Sequence, residues 1–347
     1  SYCVEHSAQI ALFVMTQKAY LAKEGESVVV RVDGKPQTRF PIHNLAGIVC
    51  FGNVGCSPFL MGHCAENHVG ISFLTENGRF LAKSTGKTSG NVMLRREQYR
   101  RTDDPDLTAE IARNIVLAKV ANCRSVLARG IRDHGSKIER ETVQKACDRL
   151  TNIGRRLLKA NNTDYVRGLE GEAANTYFGV FGQLTVANRD SFSFSERSRR
   201  PSLDRMNALL SFLYVMLAHD VESALECTGL DPQVGFLHRE RPGRASLALD
   251  LMEELRPVVA DRLALTLVNR QQVKPQGFTI QESGAVLMDD ETRKSVLKAY
   301  QERKRDELQH PVLKEKTQLG MIPYTQALLL ARYMRGDVSE YSPFLWR

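Results

Sequence analysis

Val28-Val29-Val30-Arg31-Val32-Asp33-Gly34-Lys35-Pro36-Gln37-Thr38-Arg39-Phe40-Pro41-Ile42 is a β-branched run, a turn and a second extended run. Asp33-Gly34 carries the chemistry that two-residue hairpin turns favour, so strands are predicted at 28–32 and 38–42. Working outward, Ile71 to Leu74, Asn77-Gly78 and Arg79-Phe80-Leu81 repeat the pattern. Between the hairpins, Pro58 to Asn67 reads as a helix, with Phe59, Leu60 and Met61 ahead of His63, Cys64 and Glu66. The first part of the chain is therefore a small β-rich domain with one helix.

Beyond Ser89-Gly90 the apolar period becomes that of helices. Ile111, Ile115, Ala118, Val120 and Leu127 mark a long helix over 109–132, entered through Asp104-Pro105. Ser136-Lys137-Ile138-Glu139 has capping-box spacing and predicts a helix running to about Lys159. Further helices are predicted from Thr163 to about Val180, from a Ser202 cap to Gly229, and over 245–255 and 258–269 around Pro257. Asp290 to Gln309 and Pro323 to Arg335 read as two more, with a short hairpin at Phe278 to Leu287 turned by Ser283-Gly284. The expected architecture is α+β: a β-rich N-terminal domain over 1–90 and a larger all-α domain over 91–347.

With 347 residues, 42% hydrophobic and 25% charged, the chain excludes disordered, collagenous and coiled-coil classes and suggests two domains. The longest apolar candidate, Ala208 to Ala218, is interrupted by Ser211 and too short to span a bilayer. No signal-peptide pattern opens the sequence, so a cytoplasmic protein with no membrane contact is expected. The seven cysteines form no CxxC pair and read as reduced thiols packed as small hydrophobes. A net charge of +8 fits many proteins, so its placement matters more than its size.

Two motifs fail on context. Gly86-Lys87-Thr88 resembles the end of a phosphate-binding loop, but Leu81 stands where the first glycine is needed. Glu307-Leu308-Gln309-His310 is half of a di-iron helix motif, has no second copy, and is followed by Pro311.

Three segments carry chemistry. On the predicted helix over 163–180, Glu170 shares a face with Val166, Ala173, Ala174 and Tyr177, and Gly168 and Gly171 flank it. That face either admits another group closely or is simply helix packing through small residues. On the helix around Ser246 to Leu255, Asp250, Glu253 and Glu254 fall on one arc opposite Ala248, Leu251, Met252 and Leu255. Their mutual repulsion needs a positive partner. Nearby arginines could serve, or a divalent cation with His238 as nitrogen ligand, which suits Mg²⁺ or Mn²⁺ and phosphoester chemistry. Arg239, Arg241 and Arg244 crowd the loop after His238. Phe192-Ser193-Phe194-Ser195-Glu196-Arg197-Ser198-Arg199-Arg200 interleaves aromatics with guanidiniums, suited to DNA or to a mobile polar loop.

Gly168-Leu169-Glu170-Gly171-Glu172-Ala173-Ala174, Gly235-Phe236-Leu237-His238 and Ser246 to Pro257 together resemble the CRISPR-associated adaptation integrase, the first-numbered Cas protein family. Phe73 to Phe80, Ser89 to Arg96 and the closing Pro343-Phe344-Leu345-Trp346 are most similar to its type I-C branch. The resemblance implies an N-terminal dimerisation domain and a helical catalytic domain whose Mg²⁺ or Mn²⁺ is held by Glu170, His238 and Glu253, with Asp250 supporting. It implies double-stranded DNA as partner, both prespacer and CRISPR repeat. It also implies a homodimer, pairs of which are bridged by the second-numbered Cas protein, and in type I-C systems a Cas nuclease that trims the DNA. The implied reaction is attack of a prespacer 3′-OH on a phosphodiester at the repeat border, with DNA endonuclease activity. A general structure-selective nuclease on branched DNA and a catalytically silent DNA scaffold are the alternatives.

Overall fold

A computed structural model describes residues 10–67, 69–75, 80–84, 86, 92–199 and 201–346. The chain divides into two compact units, 1–91 and 92–347.

In the first unit, β1 (Ile10–Val14), β2 (Tyr20–Glu24), β3 (Ser27–Val32), β4 (Lys35–Pro41), β5 (Leu45–Phe51) and β6 (Gly55–Cys56) precede α1 (Pro58–Glu66). β7 (Gly70–Leu74) and β8 (Phe80–Ser84) follow. One sheet has the order β4-β3-β2-β6 and the other β1-β5-β7-β8. The expected first hairpin is present: Val32 pairs with Lys35, and Asp33 and Gly34 both take positive φ, +50° and +75°. That is the geometry whose twist matches paired strands. β7 and β8 pair antiparallel as expected, while Asn77-Gly78, Lys87-Thr88 and Ser89-Gly90 lie outside the described residues. β1, β5 and β7 run parallel, a long-range arrangement that no local turn signal announces. Leu21, Val28, Ile48, Leu60 and Ile71 fill the core, joined by Cys50 and Cys64, whose thiols burial pushes up to about 12.

The second unit begins with α2 (Val92–Asp103), a polar helix the apolar period did not reveal. α3 (Pro105–His134), α4 (Arg140–Leu157), α5 (Thr163–Phe181), α6 (Arg205–Thr228), α7 (Ser246–Arg256) and α8 (Arg262–Asn269) follow. Then come β9 (Phe278–Ile280), β10 (Val286–Met288), α9 (Asp290–Lys304), β11 (Glu307–Gln309), β12 (Lys316–Gln318) and α10 (Ile322–Arg335). The part is helical but not all-α, since β9–β10 and β11–β12 are short antiparallel hairpins. The first was expected around Gly284; the second replaces the end of an expected helix. His310 belongs to the turn after β11, where its Nδ1 accepts from the backbone N–H groups of Val312 and Leu313.

Two caps differ from expectation. Ser136 does not cap α4: the Lys137 carbonyl is taken by the Arg189 guanidinium at 2.8 Å, and the helix starts at Arg140. α6 is capped by Asp204, whose Oδ1 accepts from the Asn207 N–H at 2.7 Å, while Ser202 bonds Ser211. α6 has the length and apolarity of a membrane-crossing helix, yet it packs as a core helix through Met206, Leu209, Leu210, Leu213 and Met216. α7 is buried all round except at Leu249 and runs through a π-helical turn, Pro257–Asp261, into α8. It packs against α3, α6 and α10, so any polar side chain it carries must find its partner inside the protein.

Candidate active site

Asp250 organises the site. It is fully buried, and its Oδ2 accepts the backbone N–H groups of Phe236 and Leu237 at 2.6 and 2.9 Å. Its Oδ1 accepts the His238 N–H at 2.9 Å and the ring Nδ1 at 2.6 Å. A carboxylate only accepts, so Nδ1 carries a proton, and in the neutral ring that leaves the Nε2 lone pair free to ligate. Gly235 makes this possible: a Cβ there would lie 2.7 Å from Asp250 Oδ2 and 2.8 Å from the Ser246 carbonyl carbon.

His238 Nε2 stands 4.0 Å from Glu253 Oε1. Glu253 is 2% exposed, and its Oε1 meets Arg256 Nη1 at 2.5 Å. Lys119, reaching in from α3, places Nζ 2.7 Å from Glu253 Oε2 and in contact with Glu170 Oε1. Burial pushes the Glu253 carboxyl up, but Arg256, Lys119 and His238 outweigh it and hold it at about 2. Burial likewise favours a neutral Lys119, and Glu253 and Glu170 reverse this and keep it charged. Glu170, His238, Glu253 and Asp250 are thus drawn together from α5, α7 and the loop between α6 and α7.

On α5, Asn162 caps the helix by accepting from the Asp164 and Tyr165 N–H groups at 2.8 and 3.1 Å. A Cβ at Gly168 or Gly171 would meet nothing within 4 Å. The glycines therefore do not serve close helix packing. Arg167 joins α5 to the histidine loop, its Nε donating to the Leu237 carbonyl at 2.6 Å.

The three acids of α7 do not act as one arc. Glu254 turns away from the cluster toward α10 and the C-terminal segment, where its Oε1 accepts from Tyr341 OH at 2.7 Å. Arg197 is not a surface arginine: it donates to Asn207 Oδ1 at 2.6 Å and Ser211 Oγ at 3.0 Å, and lies over the Tyr214 ring. Phe192 and Phe194 are also used internally, packing on Phe278 and Phe181 with ring centroids 5.5 and 5.3 Å apart. Arg199, Arg239 and Arg241 are exposed and Arg244 half-buried, while Arg200 lies outside the described residues. Burial first, then the like charge of Arg241, lowers the Arg244 pKa, with Arg199 contributing in the same direction.

Sequence reasoning missed Lys119, Arg256 and the group behind them. Arg256 lies over Tyr214 at 4.9 Å; Tyr214 OH donates to Asp261 at 2.6 Å, and Tyr177 OH donates to the same carboxylate at 3.0 Å. Burial raises Asp261 to about 6 against those hydrogen bonds. The available signal was a lysine set into the apolar face of α3, where only a buried acid makes it tolerable.

Two carboxylates and an unprotonated imidazole nitrogen are a donor set that suits Mg²⁺ or Mn²⁺. Glu253 Oε2, 2.7 Å from the Lys119 ammonium, keeps a second lone pair that can accept. The donors stand apart, however: among the described residues no three His, Cys, Asp or Glu side chains close into a cage. Lys119 and Arg256 balance their charge instead.

Fold and centre define a class of two-part protein, strand-rich at the N-terminus and helical after it, with an acid–imidazole centre in the helical part. A family model described as CRISPR associated protein Cas1 matches residues 12–302. The chain is 52% identical over 336 residues to "CRISPR-associated endonuclease Cas1 1" of Chlorobaculum tepidum, covering 97% of this chain and 98% of that protein. It is 50% identical over 340 residues to "CRISPR-associated endonuclease Cas1 2" of Rhodospirillum rubrum, with 97% and 98% covered. A chain of a solved Cas6-RT-Cas1–Cas2 complex shares the fold, with TM-score 0.82 and 22% identity over 100% of this chain and 37% of that one. The chain belongs to the Cas1 family.

Proposed function

We propose that the protein is a metal-dependent CRISPR adaptation integrase with DNA endonuclease activity, acting in the cytoplasm on prespacer and repeat DNA. The observation that carries this reading is the set Glu170, His238 and Glu253, with the His238 Nε2 lone pair directed by the Asp250 bond to Nδ1. The Glu170 side chain is only half-buried, which leaves its carboxylate within reach of a phosphodiester. Mg²⁺ or Mn²⁺ held by these three side chains would supply Lewis-acid stabilisation of charge on the transferring phosphoryl group.

This chain's own groups do the remaining work. Arg239, Arg241, Arg244 and Arg199 bind DNA phosphates and supply affinity that salt weakens through counterion release. Asp250 fixes the imidazole tautomer and ring, as the partner of a ligating histidine does. In the reaction the prespacer 3′-oxygen bonds to phosphorus and gives up its proton, while the repeat 3′-oxygen leaves and gains one. No net oxidation or water consumption is involved.

The 1–90 region serves as the dimerisation domain and 91–347 as the catalytic domain. Two dimers are bridged by a Cas2 dimer, an assembly supported by the shared fold with a chain of a Cas1–Cas2 complex. The closing Pro343-Phe344-Leu345-Trp346 supports the type I-C branch, which brings a trimming Cas nuclease as a further partner.

Glu170→Ala or His238→Ala is expected to abolish strand transfer into a repeat-bearing plasmid while leaving duplex binding largely intact. Wild-type integration by either variant with Mn²⁺ would refute the ligand assignment. Cleavage of branched DNA without any strand transfer would indicate a general nuclease, and inertness with every divalent ion and partner a scaffold.

A further inference from the structure

Lys119 has no place in the chemistry above, although it is the group that touches both acids. Its side chain is 7% exposed, and its ammonium bridges Glu170 on α5 and Glu253 on α7. Arg256, the other cation here, is fixed three ways: it sits one helical turn from Glu253, meets its Oε1 at 2.5 Å, and lies over Tyr214. Lys119 is held differently. Its Nζ donates to Glu170 Oε1 and stands 2.7 Å from Glu253 Oε2, so one ammonium is shared between two carboxylates. A lysine head on a four-carbon stem also moves more easily than a stacked guanidinium.

We propose that Lys119 is a built-in counter-cation: it holds Glu170 and Glu253 together when no metal is bound and yields them to the divalent ion. It thereby sets how tightly the ion binds. The inference rests on the metal assignment proposed above and concerns a residue outside that ligand set. A neutral side chain at 119 leaves the buried Glu253 and the half-buried Glu170 with one cation fewer, which destabilises the metal-free protein. The same change removes the charge that opposes a divalent ion at contact distance.

The test compares full-length wild type, Lys119→Met and Lys119→Arg by Mn²⁺ titration calorimetry, and by thermal melting in EDTA and in Mn²⁺. Lys119→Met is expected to bind Mn²⁺ at least about tenfold more tightly. It should melt lower than wild type in EDTA and recover in Mn²⁺. Lys119→Arg, which keeps the charge, should show no tightening. Equal or weaker Mn²⁺ binding by Lys119→Met, with saturable binding by wild type, overturns the inference and leaves the metal site standing. Saturable binding by Lys119→Met alone supports it in its strongest form. Absence of binding by both proteins, with DNA present, refutes the metal assignment and the inference with it. If Lys119→Met is unfolded in EDTA, folding on addition of Mn²⁺ supports the proposal. Failure to fold in Mn²⁺ while Lys119→Arg folds overturns it.

Discussion

Glu253 and Glu254 are neighbours on α7, almost equally buried, yet they belong to opposite regions of the same domain. Glu253 faces Lys119, Arg256 and His238 and is held at about 2. Among the described residues Glu254 faces no cation: its Oε1 accepts from Tyr341 OH, and its Oε2 from the Phe344 N–H at 2.8 Å and Gln326 Nε2 at 3.1 Å. Burial outweighs those hydrogen bonds and raises its carboxyl to about 8. Desolvation is similar in the two cases, so the charged partners decide the outcome. α3 repeats the division three residues apart. Lys119 turns to the charged side, while Asn122 turns to the neutral side, where Nδ2 donates to the Glu254 carbonyl at 2.7 Å and to the Phe344 carbonyl at 2.9 Å. The same two helices therefore wall both a charged centre and a neutral pocket filled by the C-terminal segment.

Breaking the charged side should have the largest effect. Glu253→Gln keeps the shape but leaves Lys119 and Arg256 buried with one carboxylate between them. Losing one partner of a buried ion pair costs about 3–5 kcal/mol. Urea unfolding at pH 7 in EDTA should show a loss of that order, and strand transfer should disappear. The sign with pH is fixed by the lowered pKa. Glu253 contributes stability that is fully present above about 4.5 and lost as pH falls toward about 2, so the gap between wild type and variant should narrow on acidification. A loss below about 1 kcal/mol at pH 7 would mean that the cations find other partners.

The neutral side should respond less, and separately. Asn122→Ala leaves the Glu254 and Phe344 carbonyls and the Trp346 N–H, which donates to Asn122 Oδ1 at 2.8 Å, without their partner. Buried groups left unsatisfied cost about 1–3 kcal/mol. Hydrogen exchange should quicken at 344–346 while Mn²⁺ affinity stays within about twofold of wild type, the additivity expected of separated sites. A Mn²⁺ affinity that falls as far as that of Glu253→Gln would show that the two regions form one unit.

The charged side was more legible in the sequence than the neutral one. Glu170, His238, Asp250 and Glu253 could be singled out because each lies in a short segment of unusual composition. Lys119 and Asn122 could not, because α3 reads as an ordinary apolar stripe and their partners lie 51 and 132 residues away in sequence. The C-terminal segment has no periodicity at all, and its order comes from side chains distant in the chain. The fold divides in the same way. Asp33-Gly34 marks a hairpin by local backbone chemistry, whereas the parallel pairing of β1, β5 and β7 is purely long-range. The capping-box spacing at Ser136 misleads because Arg189, a tertiary neighbour, takes the Lys137 carbonyl.

The smallest change in stability at acid pH, and the sharpest contrast with Glu253, is expected from Glu254→Gln. At about 8, the native carboxyl keeps its proton at pH 7, and an amide is close to it in size and hydrogen-bonding capacity. Below about pH 4.5, where the carboxyl is protonated in the native and unfolded chain alike, stability should therefore move by less than about 1 kcal/mol, against about 3–5 at pH 7 for the adjacent position. The pH profile carries the distinction. Between about 4.5 and 8 the native state holds a proton that the unfolded chain has released, so stability falls as pH rises through that window, by up to about 1.4 kcal/mol per pH unit. The amide does not titrate, so urea midpoints of Glu254→Gln at pH 5, 6.5 and 8 should lack that decline, and the variant's lead over wild type should widen from pH 5 to pH 8. Parallel profiles would place an ionised carboxylate in the neutral pocket. The two acids would then differ in their partners but not in their charge.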